Sequence, residues 1–432
     1  MPELYLQNES ITAENLEMQL RTWLAALPSW PQKVLLLPPD FTRYHSKAGL
    51  IVTLLYGILN HAGTLVDIMP ALGTHAPMSE EEKAKMFGKE IPAACFIEHD
   101  WRRETVKVGE VPSEFVAKVS GGLVQYPIDV MVNRRLLDHG YDQIISIGQV
   151  VPHEVVGMAN FNKNIFVGCG GPDMINKSHF LGAAYGMERM MGRADTPVRK
   201  VFNYAEEHFL QDIPLQYILT VTTTFKEETK LRGLFIGRSK QLFEKAALLS
   251  QQCNVNLLDK PLTKVVVYLS PDEFKSTWLG NKSIYRTRMA IADGGELLIL
   301  APGVKHFGED QAIDGLIRKY GYVGSKRVLE LVAEYPDLAD NLSAAAHLIH
   351  GSSEGRFTIT YATAQLSKSE VEQVNFHYQP LAEALQKYDP ALLTDGYNTL
   401  ADGEEIYFIS NPALGLWADR NRFLSEGQDK CS

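Results

Sequence analysis

The stretch VLLLPPDFTR (residues 34–43) decides the fold, because an apolar run is followed at once by two prolines and then by polar residues. Short apolar runs bounded by turn residues predict buried strands. Proline has no N–H to donate to a strand ladder, so the chain must leave the sheet there. Asp40, Thr42 and Arg43 then lie in the loop beyond the strand, where a helix can begin. This segment is suited to binding an anion such as a phosphate or carboxylate. Alternatively, it is only the capped start of a helix with an ion pair on the surface.

Apolar, strand-like runs recur along the chain and alternate with helical segments. Predicted strands cover residues 34–37, 65–72, 129–132, 143–148, 165–167, 264–269, 296–300 and 406–409. Predicted helices cover residues 49–60, 79–87, 180–191, 235–252 and most of 313–348, and Ser79 with Glu82 forms a capping box. This alternation predicts βαβ units and largely parallel sheets. Ligands of such sheets bind beyond the carboxyl ends of the strands, so we expect a site there.

The length of 432 residues exceeds what one core usually holds, so two domains are expected. A fresh strand–helix pattern begins near residue 261. We therefore predict an N-terminal catalytic and cofactor-binding domain at residues 1–260 and a C-terminal, substrate-side domain at residues 261–432. Both are expected to be α/β domains with largely parallel sheets, with the active site in the cleft between them.

Charge and composition exclude several classes of partner. The formal net charge of −10, with no basic run to offset it locally, argues against nucleic acid or an anionic membrane surface. No stretch approaches the roughly 18 apolar residues of a membrane span, and the N-terminal residues lack the pattern of a secretory signal. The four cysteines, Cys95, Cys169, Cys253 and Cys431, are not spaced for a disulfide framework or a structural zinc site. We expect a cytoplasmic protein.

Histidines and a lysine of chemically useful type follow the predicted strands. His75 comes after Gly73-Thr74, and His153, Lys163 and His179 lie within 27 positions of one another. Imidazole serves as an acid or base near neutral pH and binds nickel, zinc or copper. A desolvated lysine can be a covalent attachment point. Each histidine could instead be an ordinary hydrogen-bonded residue.

A glycine-rich turn lies between Lys163 and His179. Gly170 and Gly171, within the sequence GCGG, would let the backbone approach a phosphate closely. The turn does not match the GxGxxG pattern of dinucleotide-binding folds. The sequence therefore indicates a dinucleotide-binding site only weakly.

These motifs make the chain resemble the nickel-dependent lactate racemase superfamily of 2-hydroxyacid racemases and epimerases. The resemblance rests on the segment from Asp40 to Arg43, on Gly73-Thr74-His75, and on Pro152-His153, Lys163 and His179 with their spacing of ten and sixteen residues. The motifs that resemble the family lie between about residue 34 and residue 182.

The resemblance implies a nickel pincer nucleotide, pyridinium-3,5-bisthiocarboxylic acid mononucleotide, as the cofactor. His75 and His153 would be the acid/base pair that exchanges the hydroxyl proton, while hydride leaves C2 and returns to the opposite face. His179 would be the protein ligand of nickel. Further predicted cofactor-binding residues are Lys163, Asp40, Thr42, Arg43, Gly170 and Gly171, and Arg43 would also contact the substrate carboxylate.

One departure from the family pattern bears on the cofactor. Family members often place Gly-Gly and a basic residue directly before the lysine, whereas this chain has Asn160-Phe161-Asn162. Lys163 would therefore either carry the cofactor covalently or only form a hydrogen bond with it.

A second departure bears on the substrate. Lactate-type members tend to have a glutamine three residues before a substrate-binding lysine, whereas here Leu279 precedes Lys282 by three. We predict that Lys282 and Trp278 bind a polyhydroxylated sugar acid rather than lactate, and that the enzyme is a C2 epimerase. Additional polar side chains for such a longer acid would come from Arg286, Arg288, Lys305 and His306.

Two other functions remain open on the sequence alone. A zinc-dependent hydrolase or lyase could use His75, His153 and His179 as ligands. A non-catalytic protein could close on a sugar acid. If the chain is the expected racemase or epimerase, its partners are a small 2-hydroxy acid and the enzymes that make the cofactor.

Overall fold

The chain is described by a computed structural model that covers residues 2–225 and 228–425. It divides into two compact units, Met1–Ser178 with Met191–Asn254, and His179–Met190 with Val255–Ser432. The segment His179–Met190 thus belongs to the second unit, although it precedes the last part of the first unit in sequence. The domain limits at residue 260 stay a prediction.

The first unit contains a mixed sheet with the strand order β1-β10-β9-β6-β2-β3. Strands β9, β6, β2 and β3 are parallel to one another, whereas β10 runs antiparallel to its two neighbours, β9 and β1. The strands described in this unit are β1 (Leu4–Gln7), β2 (Lys33–Leu37), β3 (Leu65–Ile68), β4 (Thr105–Val111), β5 (Ile128–Asn133), β6 (Gln143–Gln149), β7 (Pro152–His153), β8 (Gly157–Met158), β9 (Leu215–Phe225) and β10 (Glu228–Gly237).

The α-helices up to residue 254 alternate with the strands along the chain. They are α1 (Ala13–Ala25), α2 (Ala48–His61), α3 (Glu80–Phe87), α4 (Ser113–Ser120), α5 (Pro172–Tyr185), α6 (Met187–Met190), α7 (Pro197–Phe209) and α8 (Lys240–Asn254), of which α5 continues into the second unit and α6 belongs to it. Trp23 of α1 and Leu55 of α2 pack with Leu36 of β2 in one apolar core. The predicted capping box at Ser79 and Glu82 starts α3.

The second unit contains a mostly parallel sheet with the order β15-β14-β13-β12-β17-β16, in which only the edge pair β16 and β17 is antiparallel among the described strands. Its strands are β11 (Val255–Leu258), β12 (Leu262–Tyr268), β13 (Ile291–Leu300), β14 (Thr358–Thr363), β15 (His377–Pro380), β16 (Gly396–Thr399), β17 (Glu405–Ile409) and β18 (Leu416–Asp419). Its helices are α9 (Thr277–Gly280), α10 (Lys282–Tyr285), α11 (Gln311–Tyr320), α12 (Ser325–Glu334), α13 (Pro336–Ala339), α14 (Leu342–His350), α15 (Lys368–Gln373), α16 (Leu381–Lys387) and α17 (Arg420–Ser425). The predicted α/β class with largely parallel sheets is confirmed.

Two predicted elements have a different structure. Residues 165–167 do not form a strand, because they lie in the π-helical turn Asn164–Gly168. The whole turn is buried, and a short buried apolar run has the same sequence pattern in a strand as in a helix. The start of the predicted helix 235–252 is also wrong, since residues 235–237 end β10 and the helix α8 begins at Lys240.

A third element has the predicted structure in a different place. The predicted strand 129–132 exists as β5, but β5 pairs antiparallel with β4 in a separate two-stranded sheet. Of the five strands predicted before residue 260, three (β2, β3 and β6) therefore lie in the six-stranded main sheet of the first unit.

No helix in the described ranges is long and apolar enough to cross a membrane. Cys95, Cys169 and Cys253 are free thiols, and Cys431 lies outside the described residues.

Helix α2 offers a matched test of close packing. A Cβ atom at Gly49 would overlap the backbone carbonyl of Met86 in α3, whereas nothing lies near a Cβ at the exposed Gly57. We expect Gly49→Ala to lower the free energy of unfolding by about 1–3 kcal/mol, as overpacking does. Gly57→Ala should raise it by about 0.5–1 kcal/mol, because alanine is the better helix former. Urea unfolding of both variants checks this, and a stable Gly49→Ala would contradict the packing.

Candidate functional site

Three adjacent parallel strands of the first unit end at the same edge of the sheet. Strand β2 lies between β6 and β3, and all three run in the same direction. Asp40 follows β2, His75 follows β3 and His153 follows β6. The residues predicted from the sequence are thus delivered to the edge at which open α/β sheets bind ligands.

Asp40 and His75 form a hydrogen-bonded pair. The carboxylate of Asp40 is buried, and its Oδ2 lies 2.5 Å from Nδ1 of His75. The other oxygen accepts hydrogen bonds from the backbone N–H of Thr42, at 3.2 Å, and from the Thr42 hydroxyl. Burial alone would raise the pKa of Asp40, but the hydrogen bonds from His75 and Thr42 and the nearby charges of His75 and Arg43 lower it below the usual value.

The pair fixes the tautomer of His75. An ionised carboxylate only accepts hydrogen bonds, so Nδ1 of His75 carries the proton that it donates to Asp40. Nε2 is then the nitrogen that can take up a proton. The side chain of His75 is 61% exposed. This arrangement is typical of a general base that is oriented by a carboxylate.

His153 is held differently. It is buried in the short hairpin formed by β7 and β8, and its Nδ1 accepts a hydrogen bond of 3.1 Å from the backbone N–H of Val155. Its Nδ1 also lies 3.8 Å from the carboxylate of Glu154. In the neutral ring the proton is therefore on Nε2, so His153 is a hydrogen-bond donor at the nitrogen where His75 is an acceptor.

Asp40, which binds His75, and Glu154, which is next to His153, both act on the charge of Lys163. Burial above all, with the positive charges of Arg43 and Arg199, lowers the pKa of Lys163 to about 8, although Glu154 and Asp40 act in the opposite direction. The amine therefore lies within electrostatic reach of the Asp40 that binds His75 and of the Glu154 next to His153. A substantial fraction of this amine is neutral near physiological pH.

Two buried hydrogen bonds hold the π-helical turn behind Lys163 against the strand ends. The amide of Asn164 donates to the carbonyl of Leu37 at 3.0 Å and to the hydroxyl of Ser146 at 2.9 Å, which ties the turn to β2 and β6. The carbonyl of Gly168 accepts from the backbone N–H of Gly73 at 2.8 Å, two residues before His75. The loops of His75 and Lys163 are thus joined directly.

Packing accounts for the two glycines that were predicted to contact the cofactor. A Cβ at Gly170 would overlap the carbonyl of Phe166, and one at Gly171 would lie 2.8 Å from the Cβ of Met131. The backbone N–H of Gly171 donates to the Met131 carbonyl at 3.3 Å. Their role in cofactor binding stays a prediction.

The remaining predicted residues belong to the second unit. His179 lies half-buried on α5. Trp278, also half-buried, stacks on His347 with ring centroids 4.5 Å apart. Lys282 begins α10, with Nζ 5.7 Å from the centre of the Phe274 ring.

Two of the four residues expected to extend the substrate site serve the fold instead. Arg288 is buried, and its Nε lies 2.6 Å from the carboxylate of Glu188. Arg286 is buried and donates to the carbonyl of Gly415 at 3.3 Å. Lys305 is exposed, and Nδ1 of the half-buried His306 lies 2.9 Å from the carbonyl of Gly308.

Within the described residues, no group of three or more His, Cys, Asp or Glu side chains is arranged to hold a metal ion. The zinc site of His75, His153 and His179 considered from the sequence therefore gains no support.

Three residues that the sequence analysis missed contribute to this environment. Glu154 and Arg199 act on the charge of Lys163, and Asn164 anchors its turn. Glu154 directly follows His153 in the sequence, and this position could have indicated that it belongs to the site. Arg199 lies 36 positions after Lys163 in sequence, so no local pattern indicates it.

Comparison with known proteins agrees with this α/β architecture. Residues 8–190 match the family model of the lactate racemase N-terminal domain. No curated protein sequence matches the chain significantly. Residues 8–190 are therefore similar to the lactate racemase N-terminal domain, and the predicted resemblance to the lactate racemase superfamily is confirmed.

Solved structures extend the likeness to nearly the whole chain. A crystal structure of a Thermotoga maritima protein has 25% sequence identity and a TM-score of 0.79, over 96% of this chain and 100% of the other. The lactate racemase apoprotein from Thermoanaerobacterium thermosaccharolyticum has 15% identity and a TM-score of 0.69, over 95% and 94% of the two chains. The latter likeness concerns the fold. The family match supports an isomerase of the racemase type.

Because the amine of Lys163 is desolvated, we expect the stability of the folded protein to depend on pH. A lysine pKa lowered from about 10.5 to about 8 makes the charged form unfavourable in the folded protein, which corresponds to about 3 kcal/mol at most. This cost is present in full below pH 8 and disappears as pH rises to the pKa of the unfolded chain. Lys163→Met should therefore raise the melting temperature at pH 7, with the gain shrinking between pH 8 and pH 10.5.

Thermal melts across this pH range give the measurement. Lys118→Met, on an exposed helical position, is the control and should change the melting temperature little at any pH. A Lys163→Met variant that is destabilised at pH 7 would show that the amine is not desolvated.

Proposed function

We propose that the protein is an epimerase that inverts C2 of a polyhydroxylated 2-hydroxy acid, with a nickel pincer nucleotide as its cofactor. The observation that carries the proposal is the Asp40–His75 hydrogen bond beyond two adjacent parallel strands, with His153 following a third and with a desolvated Lys163 on which Asp40 acts electrostatically. The proposal includes a cytoplasmic location and a dependence on the enzymes that make the cofactor.

The side chains of the first unit fit such a cofactor. The nucleotide contains an anionic phosphate, and the cation of Arg43 next to Lys163 suits it. Lys163 is neutral often enough to attack a carbonyl or thiocarbonyl carbon, as a covalent attachment requires. His179 would supply the nickel ligand. When bound, the cofactor would accept hydride from C2 and return it.

The two histidines divide the proton chemistry. Nε2 of His75 takes the hydroxyl proton of the substrate, and the Asp40 carboxylate stabilises the imidazolium that forms. When the hydroxyl is restored on the other face, His153 would donate the Nε2 proton from its protonated, imidazolium form, which the Glu154 carboxylate 3.8 Å from Nδ1 would stabilise. Proton exchange with solvent would return both histidines to their starting charge. Each group of this kind contributes about 10²–10⁴-fold to the rate.

The proposed substrate class rests on the second unit. Leu279 stands where lactate-type members tend to have a glutamine, which removes a polar contact suited to lactate. Lys282 provides a cation for a carboxylate, and the half-buried ring of Trp278 provides a flat face for a carbon chain. With Arg286 and Arg288 committed to the fold, Lys305 and His306 are the remaining candidates for the distal hydroxyl groups.

Proton NMR in deuterated water tests the reaction directly. Cofactor-loaded protein is mixed with single epimers of 2-hydroxy acids, including lactate and C2-epimeric sugar acids. We expect one sugar acid to give its C2 epimer with little deuterium at C2, because hydride returns from the cofactor. His75→Ala and His153→Ala should each slow the reaction by about 10²–10⁴-fold.

Three outcomes would contradict the proposal. Complete deuterium incorporation would indicate proton abstraction from C2. Conversion of lactate alone would overturn the substrate class. Normal ligand binding by the wild type and both variants, without turnover, would favour a binding protein.

Nickel content tests the metal assignment. His179→Ala should lose most of its nickel after loading and desalting, measured by elemental analysis, because one of the metal donors is removed. His139→Ala, an exposed histidine of the first unit, is the control and should keep the wild-type content. Equal nickel in both variants would exclude His179 as the ligand.

A further inference from the structure

The turn before Lys163 has a backbone conformation that its residues disfavour. Asn160 has φ of 61° and Phe161 has φ of 59°. Asparagine tolerates this left-handed region, but phenylalanine rarely adopts it. Strained residues of this kind persist only where the surrounding structure determines them, and they concentrate at functional sites.

One buried side chain holds this turn from three sides. The guanidinium of Arg199, only 1% exposed, donates from Nη2 to the carbonyl of Met158 at 2.6 Å and from Nη1 to the carbonyl of Asn160 at 3.2 Å. Nη1 also donates to the side-chain oxygen of Asn162. These acceptors lie before, within and after the left-handed residues.

The surroundings of Arg199 are unusual for a buried cation. Its three acceptors are uncharged oxygens, and its guanidinium lies 4.4 Å from the centre of the Phe243 ring. Burial lowers the pKa of Arg199 to about 9, and the nearest influences in the other direction are Tyr217 and Glu206. A buried charge is costly unless it is paired or well hydrogen-bonded, so a purely structural role would be served better by an apolar residue.

Neighbouring groups support the same turn. The ring of Phe161 lies between those of Tyr217 and Phe243, with centroids 4.4 and 4.9 Å away. One helical turn beyond Arg199 on α7, Asn203 accepts a hydrogen bond of 2.8 Å from the amide of Asn162.

We propose that Arg199 is a positioning residue, which holds the left-handed turn and thereby presents the amine of Lys163 to Asp40, Arg43 and Glu154. The inference rests on the proposed function in one respect, because that function assigns the amine of Lys163 to cofactor binding. Without the planar fork of Arg199, the turn relaxes toward ordinary backbone angles. Lys163 then leaves its desolvated position and behaves as a surface lysine.

Chemical labelling of the apoprotein tests this without substrate or cofactor. Acetic anhydride is applied over a range of pH values, and acetylation of the peptide containing Lys163 is measured by mass spectrometry. The wild type should show a midpoint near pH 8. Arg199→Met should move the midpoint toward about 10.4, the ordinary value for lysine. Arg199→Lys keeps a charge but not the planar fork, so its midpoint should lie between the two.

Two controls separate positioning from general loss of stability. Val201→Ala shortens another buried side chain of α7, and it should lower the melting temperature without moving the midpoint. Because the charge of Arg199 by itself lowers the pKa of Lys163, Arg199→Lys is the deciding variant. An unchanged midpoint in folded Arg199→Lys or Arg199→Met, or an equal shift in Val201→Ala, would overturn the proposal. Should Arg199→Met fail to fold, an unchanged midpoint in Arg199→Lys would overturn it equally. Failure of the epimerase proposal leaves these midpoints unaffected, so the two results are distinguishable.

Discussion

The parallel pairing of β2 with both β3 and β6 is the constraint on which the candidate site depends. Leu36 of β2 is aligned with Ile68 on one side and with Ile145 on the other. The residues that follow these strands therefore lie at about the same level beyond the carboxyl edge of the sheet. A slip of one residue between β2 and β3 would exchange the two faces of a strand, and it would separate Asp40 from His75. The buried apolar side chains that fix the register thus also fix the acid/base geometry.

Charge balance explains why the lysine of this site is partly neutral. The carboxylates of Asp40 and Glu154 act on Lys163 together with the guanidinium groups of Arg43 and Arg199. Two negative and two positive charges are already present, so a protonated amine adds an uncompensated charge to a desolvated region. Burial therefore decides the outcome, as it does whenever the neighbouring charges cancel. The fold makes the amine reactive without a dedicated base next to it.

The sequence predicts the parts of this structure that depend on local patterns. An apolar run followed by prolines marks the end of β2, and the spacing of Ser79 and Glu82 marks the start of α3. The positions of His75 and His153 after strands follow from the same logic. The hydrogen bond from His75 to Asp40 could not be predicted, because it joins residues 35 positions apart through the pairing of two strands.

Other features escape prediction because tertiary contacts override local preference. Residues 165–167 are apolar and β-prone, but the amide of Asn164 ties them into a buried turn between two strands. Similarly, nothing in the sequence near Lys163 indicates the buried guanidinium from α7. Its partners are mostly backbone carbonyls, which every residue has, so no residue type reveals the interaction.

The departure at residues 160–162 shows why a missing glycine pair need not mean a missing site. Glycine is common before functional residues because it adopts positive φ at little cost. Here Asn160 and Phe161 have the same sign of φ, so the backbone reaches the conformation that glycine would allow. The cost is met by contacts that glycine would not need, namely the hydrogen bonds of Arg199 and the stacked ring of Phe161. A motif written in residue types records only one solution to a backbone requirement, and the conformation before Lys163 is the feature that a family comparison should test.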